Sequence, residues 1–195
     1  MIDFCVLGSG IAGSTIANLL SKKYSVHVFD KARGAGGRSS NKKLKGNLSF
    51  DHGVQYIAPK SKSFKEFTQK LFIKKILKTW NGNHLDFTYE KKPLSIKYIG
   101  KKANNDLVKY NLKGIKKSFS STVGKIQYKK NYWEITLKDN SKHKFRYLIL
   151  TFTFPQLKSI ANKYLDNKIL ILPFGSDGLK YPNAYLLIRN QPLPA

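Results

Sequence analysis

The sequence predicts an α/β fold centred on a parallel β-sheet, and three features of the chain support this. Near the N-terminus an apolar run at residues 2–7 leads through a glycine cluster into a helical pattern, and a second apolar run follows at residues 25–30. Residues 119–151 alternate between apolar and polar positions around two short turns, which predicts a three-stranded meander. That meander ends in the uniformly apolar residues 148–150, as expected for a strand covered on both faces.

Helices and short strands are predicted around these two regions. Apolar residues up to Leu77 recur on one side of the stretch after Ser63, which predicts a helix that begins near Ser63 and ends before Asn81. Residues 31–47 are rich in Gly, Lys, Ser and Asn and are predicted to form a loop. The remaining predicted elements are short strands at 87–89 and 96–99, a helix over 105–117, and a helix that Pro155 opens.

The glycine cluster at residues 8–13 has the spacing of a turn that binds a dinucleotide. It is a G-x-G-x-x-G motif that follows a predicted strand and opens a predicted helix. Gly8 permits a tight turn, Gly10 lets a pyrophosphate approach the backbone, and Gly13 lets the helix pack closely on the strand. The N–H groups at the start of the helix then face the phosphates.

An acidic residue ends the second predicted strand, where a ribose would lie. Asp30 follows Gly8 by 22 residues. A carboxylate at this place can accept hydrogen bonds from the two ribose hydroxyls and would repel a 2′-phosphate. The residues alone therefore favour FAD or NAD over NADP.

The composition is strongly basic, with 36 Lys and Arg against 11 Asp and Glu and a net charge of +25. Only four of these cations are Arg, although nucleic-acid surfaces depend heavily on the bidentate guanidinium. The lysines are also spread along the chain instead of forming one basic arm. We therefore interpret them as a solvated surface in preference to a nucleic-acid site.

Other classes of protein are excluded by simple counts. A single cysteine, Cys5, allows no disulfide framework within the chain and indicates a reducing compartment. The longest nearly apolar run, residues 147–154, is far shorter than the about 20 residues needed to span a bilayer. Since the N-terminus also lacks the pattern of a secretory signal, we expect a cytoplasmic protein. The histidines show no metal-ligand spacing, so no metal site is predicted.

Two motifs resemble the amine-oxidase superfamily of FAD-binding flavoproteins. Residues 30–38, Asp-Lys-Ala-Arg-Gly-Ala-Gly-Gly-Arg, continue the glycine turn into a G-G-R run. Residues 50–57, Phe-Asp-His-Gly-Val-Gln-Tyr-Ile, are similar to the D-x-G-A-Q-Y segment of its renalase-like group, with Val54 in place of the usual Ala. The meander and its return strand, within residues 121–155, are a third similarity. The resemblance covers essentially the whole chain.

The resemblance implies a Rossmann-like FAD-binding domain and assigns roles to individual residues. Asp30 would bind the adenosine ribose, Arg38 would lie near the phosphates, and the backbone of Val123 would meet the adenine edge. Gln55 and Tyr56 would sit near the isoalloxazine ring. From the residues alone, Arg38 could equally be a solvated cation, and Gln55 and Tyr56 the packed end of a strand. The residues expected to contact FAD are Gly8, Ser9, Gly10, Ile11, Ala12, Gly13, Asp30, Lys31, Gly37, Arg38, Gln55, Tyr56 and Val123.

The resemblance also implies two interleaved domains. Residues 1–60 and 100–155 would form the FAD-binding domain, whereas residues 61–99 and 156–195 would be segments of an inserted, incomplete α+β substrate domain. The family's late G-D motif is absent from the sequence, so we expect a C-terminally truncated form. No catalytic acid or base can be assigned, and we expect no flavin reduction by the 195-residue chain alone.

The leading functional hypothesis is an FAD-dependent oxidoreductase of the renalase-like group, or an inactive fragment of one. The resemblance implies a small-molecule substrate, either reduced nicotinamide isomers or amines, with oxygen as the electron acceptor. A second hypothesis is a non-catalytic dinucleotide-binding module, and a third is a basic nucleic-acid binder. No membrane partner is predicted, and the sequence leaves the oligomeric state open.

Overall fold

The computed structural model describes residues 1–46, 48–81, 96–161, 169–170 and 185–187. The chain divides into two compact units: unit 1 comprises Met1–Gly37 and Asn111–Ala195, and unit 2 comprises Arg38–Tyr110. The assignment of chain segments to an FAD-binding and a substrate domain stays a prediction.

The secondary structure alternates between strands and helices along most of the chain. In chain order the elements are β1 (Ile2–Leu7), α1 (Ile11–Leu20), β2 (Val26–Phe29), a 3₁₀ turn (Gly37–Ser39), β3 (Asn41–Lys43), β4 (Ser49–Asp51), α2 (Lys62–Ile73), β5 (Leu77–Thr79), β6 (Tyr98–Gly100), α3 (Asp106–Asn111), β7 (Lys116–Ser118), β8 (Val123–Lys129), β9 (Tyr132–Leu137), β10 (Lys142–Leu150), α4 (Phe154–Ala161), β11 (Ile169–Leu170) and β12 (Tyr185–Leu187).

Unit 1 is built on one mixed sheet, as the sequence predicts. Its main order is β11-β12-β10-β1-β2-β7, with β9 paired to β10 and β8 paired to β9. Strands β10, β1, β2 and β7 are mutually parallel, whereas β9 and β12 run antiparallel to β10. The α/β class, the parallel strands and the meander of β8, β9 and β10 are therefore confirmed.

A hydrophobic core packs the parallel strands of unit 1 against the meander and α4. Burying these apolar side chains is the main driving force that holds the layers together. The core takes members from β1, β2, β8, β9, β10 and α4, and its buried residues are Cys5, Leu7, Phe29, Ile126, Trp133, Ile135, Leu137, Phe145, Leu148, Leu150, Leu157 and Ala161.

The register of the parallel strands brings three chain segments to one edge of the sheet. Leu7 pairs with Phe29 on one side and with Leu150 on the other, and each of these residues is the last of its strand. Parallel strands end at the same edge, where α/β proteins bind their ligands. Whatever follows β1, β2 and β10 must therefore meet there.

Unit 2 contains two small antiparallel hairpins, formed by β3 with β4 and by β5 with β6, together with α2 and α3. The hydroxyl of Ser61 caps α2 by accepting a hydrogen bond from the Phe64 N–H at 3.3 Å. An isolated bridge joins Ile57 to Tyr98, and both residues are buried with Leu71 of α2. This bridge attaches the segment before α2 to β6.

Two predicted helices are shorter than the sequence suggests. The helix predicted to end just before Asn81 already ends at Ile73, because Lys75 adopts a left-handed backbone with φ of 56°, and Leu77 belongs to β5. The helix predicted over residues 105–117 is limited to α3. Gly114, with φ of 77°, interrupts the pattern, and the chain continues into β7 of the sheet.

The loop predicted for residues 31–47 is wrong in part, because it contains β3, which pairs with β4. The predicted strand at 87–89 lies outside the described residues. Within the ranges that the structure describes, no helix has the length and apolar character needed to cross a bilayer.

Candidate functional site

The candidate site lies at the carboxyl edge of the parallel sheet, in the segments that follow three neighbouring strands. Gly8 follows β1 and donates its N–H to the Phe29 carbonyl at 2.8 Å. Thr151 follows β10 and donates its N–H to the Leu7 carbonyl at 3.0 Å. Asp30 follows β2. The strand pairing thus continues into the turns and places these three residues side by side.

Two glycines of the turn are required by close packing inside unit 1. Gly8 has φ of +108°, and a Cβ there would lie 2.4 Å from the hydroxyl oxygen of Thr151. A Cβ on Gly13 would lie 1.9 Å from the carbonyl oxygen of Gly8. No real Cβ approaches other atoms this closely, so a side chain at Gly8 would displace Thr151, and one at Gly13 would force the turn and α1 apart.

Gly10 differs from these two glycines because it faces open space. Its backbone is extended, with φ of −77°, and a Cβ there would have only the Cα of Gly37, at 3.8 Å, within 4 Å. A side chain at Gly10 would therefore fit the fold but would enter the space in front of the turn. A ligand that approaches the backbone needs that space.

The glycine run at residues 34–37 lies across the glycine turn at residues 8–13. The Gly36 N–H donates to the Ser9 carbonyl at 3.1 Å. Gly37 has φ of +54°, and a Cβ on it would come within 3.0 Å of the Cα of Gly10. The paired glycines therefore let the two turns come together, a structural role that no local feature of the sequence could indicate.

The start of α1 offers backbone donors toward this space. The first four N–H groups of an α-helix have no partner inside the helix. Gly10 is the N-cap and has no side chain that could accept a hydrogen bond from them, and the first intrahelical bond runs from the Ser14 N–H to the Gly10 carbonyl at 2.9 Å. With the positive end of the helix dipole, these donors form a site suited to a phosphate.

Asp30 is held in place by donors from the glycine turn and from its own loop. Its Oδ2 accepts hydrogen bonds from the N–H and the hydroxyl of Ser9, each at 2.6 Å, and its Oδ1 accepts one from the Ala32 N–H at 2.8 Å. A carboxylate has about four acceptor positions. Three of these positions are occupied by the bonds from Ser9, which is fully buried, and from Ala32. One acceptor position, on Oδ1, therefore remains for a ligand hydroxyl.

The segment before β8 lies against the loop that contains Asp30. The Asp30 N–H donates to the Ser118 carbonyl at 3.0 Å, and the Asp30 carbonyl accepts from the Ser121 N–H at 2.9 Å. Val123 begins β8 two residues later, half-buried. The structure therefore brings the segment that carries Val123 close to the predicted ribose-binding carboxylate.

A buried histidine supports the same segment. The Nε2 of His27 lies 2.9 Å from the Ser118 hydroxyl, and the imidazole packs on Phe29 with ring centroids 4.0 Å apart. Burial, aided by the positive charges of Lys116 and His143, lowers the pKa of His27 to about 4. His27 is therefore uncharged at neutral pH.

The other predicted residues of unit 1 surround the turn. Ile11 and Lys31 are exposed, and Ala12 is half-buried in the first turn of α1.

The remaining predicted residues belong to unit 2. The carbonyl of Arg38 accepts the Val54 N–H at 2.9 Å, and its side chain is exposed. Gln55 is exposed, and its carbonyl accepts a hydrogen bond from the amide of Asn104 at 3.1 Å. Tyr56 stacks on Trp80 at a centroid distance of 5.1 Å.

Asn104 is an organising residue of unit 2 that the sequence analysis did not identify. Its buried amide also donates to the Val54 carbonyl at 2.7 Å, and its oxygen accepts the Gly100 N–H at 3.0 Å. Its backbone N–H donates to the Asp51 carboxylate at 3.1 Å. Asn104 thus fixes the segment that carries Gln55, through contacts about 50 residues apart that a sequence pattern does not reveal.

No metal site is found in the part of the chain that the structure describes, where no three His, Cys, Asp or Glu residues are grouped to hold an ion.

Comparisons with known proteins agree with this geometry. The model of the NAD(P)-binding Rossmann-like domain family matches residues 6–71. Renalase from Mus musculus is 29% identical over 172 residues, which are 83% of this chain and 50% of renalase. The chain therefore spans about half the length of this relative.

A solved structure shares the fold at low sequence identity. A double mutant of putrescine oxidase redesigned in its cofactor binding superposes with a TM-score of 0.61 at 12% identity, covering 82% of this chain and 60% of that protein. A tetracycline destructase gives a TM-score of 0.49 at 19% identity, covering 76% of this chain and 37% of the destructase. The chain is thus similar to renalase over half of that protein's length, matches the NAD(P)-binding Rossmann-like domain over residues 6–71, and shares the fold of the putrescine oxidase.

Proposed function

We propose that this protein binds FAD and is all or part of a flavin-dependent oxidoreductase of the renalase type, which acts on small molecules. The observation that carries the proposal is the arrangement at the carboxyl edge of the sheet. There, the open backbone at Gly10 and the N–H groups at the start of α1 follow β1, and the carboxylate of Asp30, which follows β2, is hydrogen-bonded to the same glycine turn.

The residues of the turn fit the pyrophosphate of a dinucleotide. The space in front of Gly10 is one that a single Cβ would enter, and the donors at the start of α1 point toward it. The net charge of +25 further favours a ligand with two phosphate charges. We expect the pyrophosphate to lie between Gly10 and the start of α1.

Asp30 fits the adenosine ribose. Its remaining acceptor position on Oδ1 can receive one ribose hydroxyl, and a second hydroxyl can bind Oδ2 if the Ser9 side chain rotates away. A 2′-phosphate in this place would meet an anionic group that has no proton to donate, so binding of NADP would be unfavourable.

The choice of FAD over NAD rests on the resemblance to flavoproteins and on the second glycine run. Gly37 crosses the turn at Gly10, and Arg38 follows it directly, as in the G-G-R pattern of that superfamily. We propose that Arg38 lies along the cofactor and that Gln55 and Tyr56 belong to its flavin end. Val123 would present its backbone to the adenine.

Bound FAD would supply the chemistry of hydride acceptance, which no amino-acid side chain provides. The residues of this chain would bind and orient the cofactor. The N–H groups of the turn would hold the pyrophosphate, and Asp30 would hold the ribose. We assign no proton transfer to any described residue.

For the substrate, we propose reduced nicotinamide isomers or amines, with oxygen accepting the electrons. We further propose that the protein works in the cytoplasm, in keeping with its one cysteine, which is buried and whose pKa is raised by that burial.

Anaerobic mixing of the FAD-loaded protein with each candidate substrate tests this proposal. Loss of the oxidised-flavin absorbance with a nicotinamide isomer, and its return with hydrogen peroxide on admission of air, would support a renalase-type oxidase. Bleaching with amines alone would support an amine oxidase. Tight FAD binding with no reduction by either class, which is the result we expect for the 195-residue chain alone, would support a fragment without turnover or a non-catalytic dinucleotide-binding module.

A further inference from the structure

We propose that Thr151 is a positioning residue that, together with Asp30, fixes the orientation of the peptide group between Gly8 and Ser9 and thereby sets the affinity of the site for a ribose. This inference rests on the proposed function for the identity of the ligand, but its geometric part concerns the protein alone.

The peptide group between Gly8 and Ser9 is held at both ends by side chains. On the carbonyl side, the hydroxyl of Thr151 lies 2.9 Å from the Leu7 oxygen and 3.3 Å from the Gly8 oxygen, and its single proton is shared between these two acceptors. On the amide side, the Ser9 N–H donates to Asp30 Oδ2 at 2.6 Å. Because a peptide group is a rigid plane, these contacts together define its orientation.

The two side chains approach from opposite sides of β1. Thr151 follows β10 and Asp30 follows β2, the two strands that pair with β1 in parallel. The backbone N–H of Thr151 is itself bonded to the Leu7 carbonyl at 3.0 Å, so the register of the sheet determines where its hydroxyl lies. The core of unit 1 is thus connected directly to the ligand-binding turn.

The glycines of the turn leave a space that this hydroxyl fills. A Cβ on Gly8 would lie 2.4 Å from the Thr151 hydroxyl oxygen, and one on Gly13 would lie 2.9 Å from it. With Cβ atoms absent at both positions, the hydroxyl can reach the backbone of the turn. The glycine motif and Thr151 therefore act as one structural unit, although more than 130 residues separate them in the sequence.

Loss of the hydroxyl would free the peptide to rotate. Gly8 has φ of +108° and no side chain to limit that rotation. A rotated peptide would carry the Ser9 N–H away from Asp30 Oδ2, and the carboxylate would lose one of the bonds that orient it. Removal of Thr151's hydroxyl should therefore weaken recognition of the ribose, although Thr151 itself does not touch it.

The first test needs no ligand. Amide hydrogen exchange at Ser9 is measured by NMR in the wild type and in Thr151→Ala, Thr151→Val, Thr151→Ser and the control Thr79→Ala, which removes an exposed threonine from β5 of unit 2. We expect exchange at Ser9 to rise about three- to tenfold in the Ala and Val variants, since one neutral hydrogen bond is lost. It should remain at the wild-type rate in Thr151→Ser and Thr79→Ala.

The second test measures the ratio of affinities for ADP and 2′-deoxy-ADP by calorimetry. The wild type should prefer ADP, and Thr151→Ala should reduce that preference about threefold or more, whereas Thr151→Ser should restore it. In the Asp30→Asn background, Thr151→Ala should reduce the preference for ADP by a smaller factor than it does in the wild type, because both side chains act on the same peptide group.

Unchanged exchange at Ser9 in both hydroxyl-lacking variants would overturn the inference, and so would failure of Thr151→Ser to restore the wild-type rate. An ADP preference that is unchanged in Thr151→Ala would likewise contradict it. If the wild type binds neither ADP nor FAD, the proposed function fails, and the exchange measurement alone still decides whether Thr151 positions the peptide.

Discussion

The substitution Gly10→Ala should separate ligand binding from folding. Gly10 has a backbone φ of −77°, which alanine adopts without strain, and its added methyl would meet only the Gly37 Cα, at 3.8 Å. The change of N-cap costs a helix about 1 kcal/mol or less, and the less flexible unfolded chain offsets part of this. We expect the free energy of unfolding to change by no more than about 1 kcal/mol.

The effect of Gly10→Ala on FAD should be much larger. The methyl would occupy the space through which a pyrophosphate reaches the backbone donors of the turn. A hydrogen bond to a charged group contributes about 1.5 to 3 kcal/mol, so the loss of even one such bond should weaken FAD binding about tenfold to a hundredfold. The loss of two should abolish measurable binding.

Two matched glycine substitutions serve as controls in a fluorescence titration with FAD. Gly34→Ala lies in the crossing segment, where an added Cβ meets nothing within 4 Å, so binding and stability should both be retained. Gly13→Ala should destabilise the fold itself, because its Cβ would lie 1.9 Å from the Gly8 oxygen. Wild-type FAD affinity in Gly10→Ala would refute the placement of the pyrophosphate.

Two further predictions concern an acidic and a basic side chain of unit 1. Asp30→Ala should weaken FAD binding about tenfold to a hundredfold in the same titration, because charge-assisted hydrogen bonds to the ribose are lost. Asp30→Glu should retain part of the affinity. Unchanged binding in Asp30→Ala would place the ribose elsewhere. His27, whose pKa is lowered to about 4, takes up a proton more readily in the unfolded chain, so its contribution to stability is complete above about pH 6.5 and is lost as the pH falls toward 4. Urea denaturation at pH 7 and pH 4.5 should show that the free energy of unfolding falls by at most about 3 kcal/mol between these two pH values. In His27→Phe this decrease should be smaller. An equal decrease in the variant would assign the pH dependence to other groups.

The sequence predicted the parts of the fold that depend on local pattern. The runs of apolar residues identified β1, β2 and the meander, and the glycine spacing located the turn at Gly8 and the start of α1. The sequence did not predict where helices end when the conformation of a single residue ends them. Lys75 ends α2 with a positive φ that is uncommon for lysine, and Gly114 reverses the chain before β7.

In the candidate site, too, the sequence predicted the residues of local motifs but not those that act through tertiary contacts. Residues 8–13 and Asp30 could be identified from the sequence because the chemistry of a dinucleotide demands them in a fixed spacing. Thr151 and Asn104 could not, since each acts through backbone contacts between segments distant in the chain. The crossing of Gly37 over Gly10 is likewise a tertiary contact. Such residues become visible only once the register of the sheet and the turns is known.

The central claim, that the glycine turn and Asp30 bind the adenosine diphosphate half of FAD, is tested most directly by comparing FAD with FMN. Both carry the same flavin, but FMN lacks the adenosine ribose and the second phosphate. Titration of the purified protein with each flavin, with NADP as competitor, should show FAD bound at least about a hundredfold more tightly than FMN and little displacement by NADP. Equal affinities for FAD and FMN, or tight NADP binding without flavin, would contradict the account.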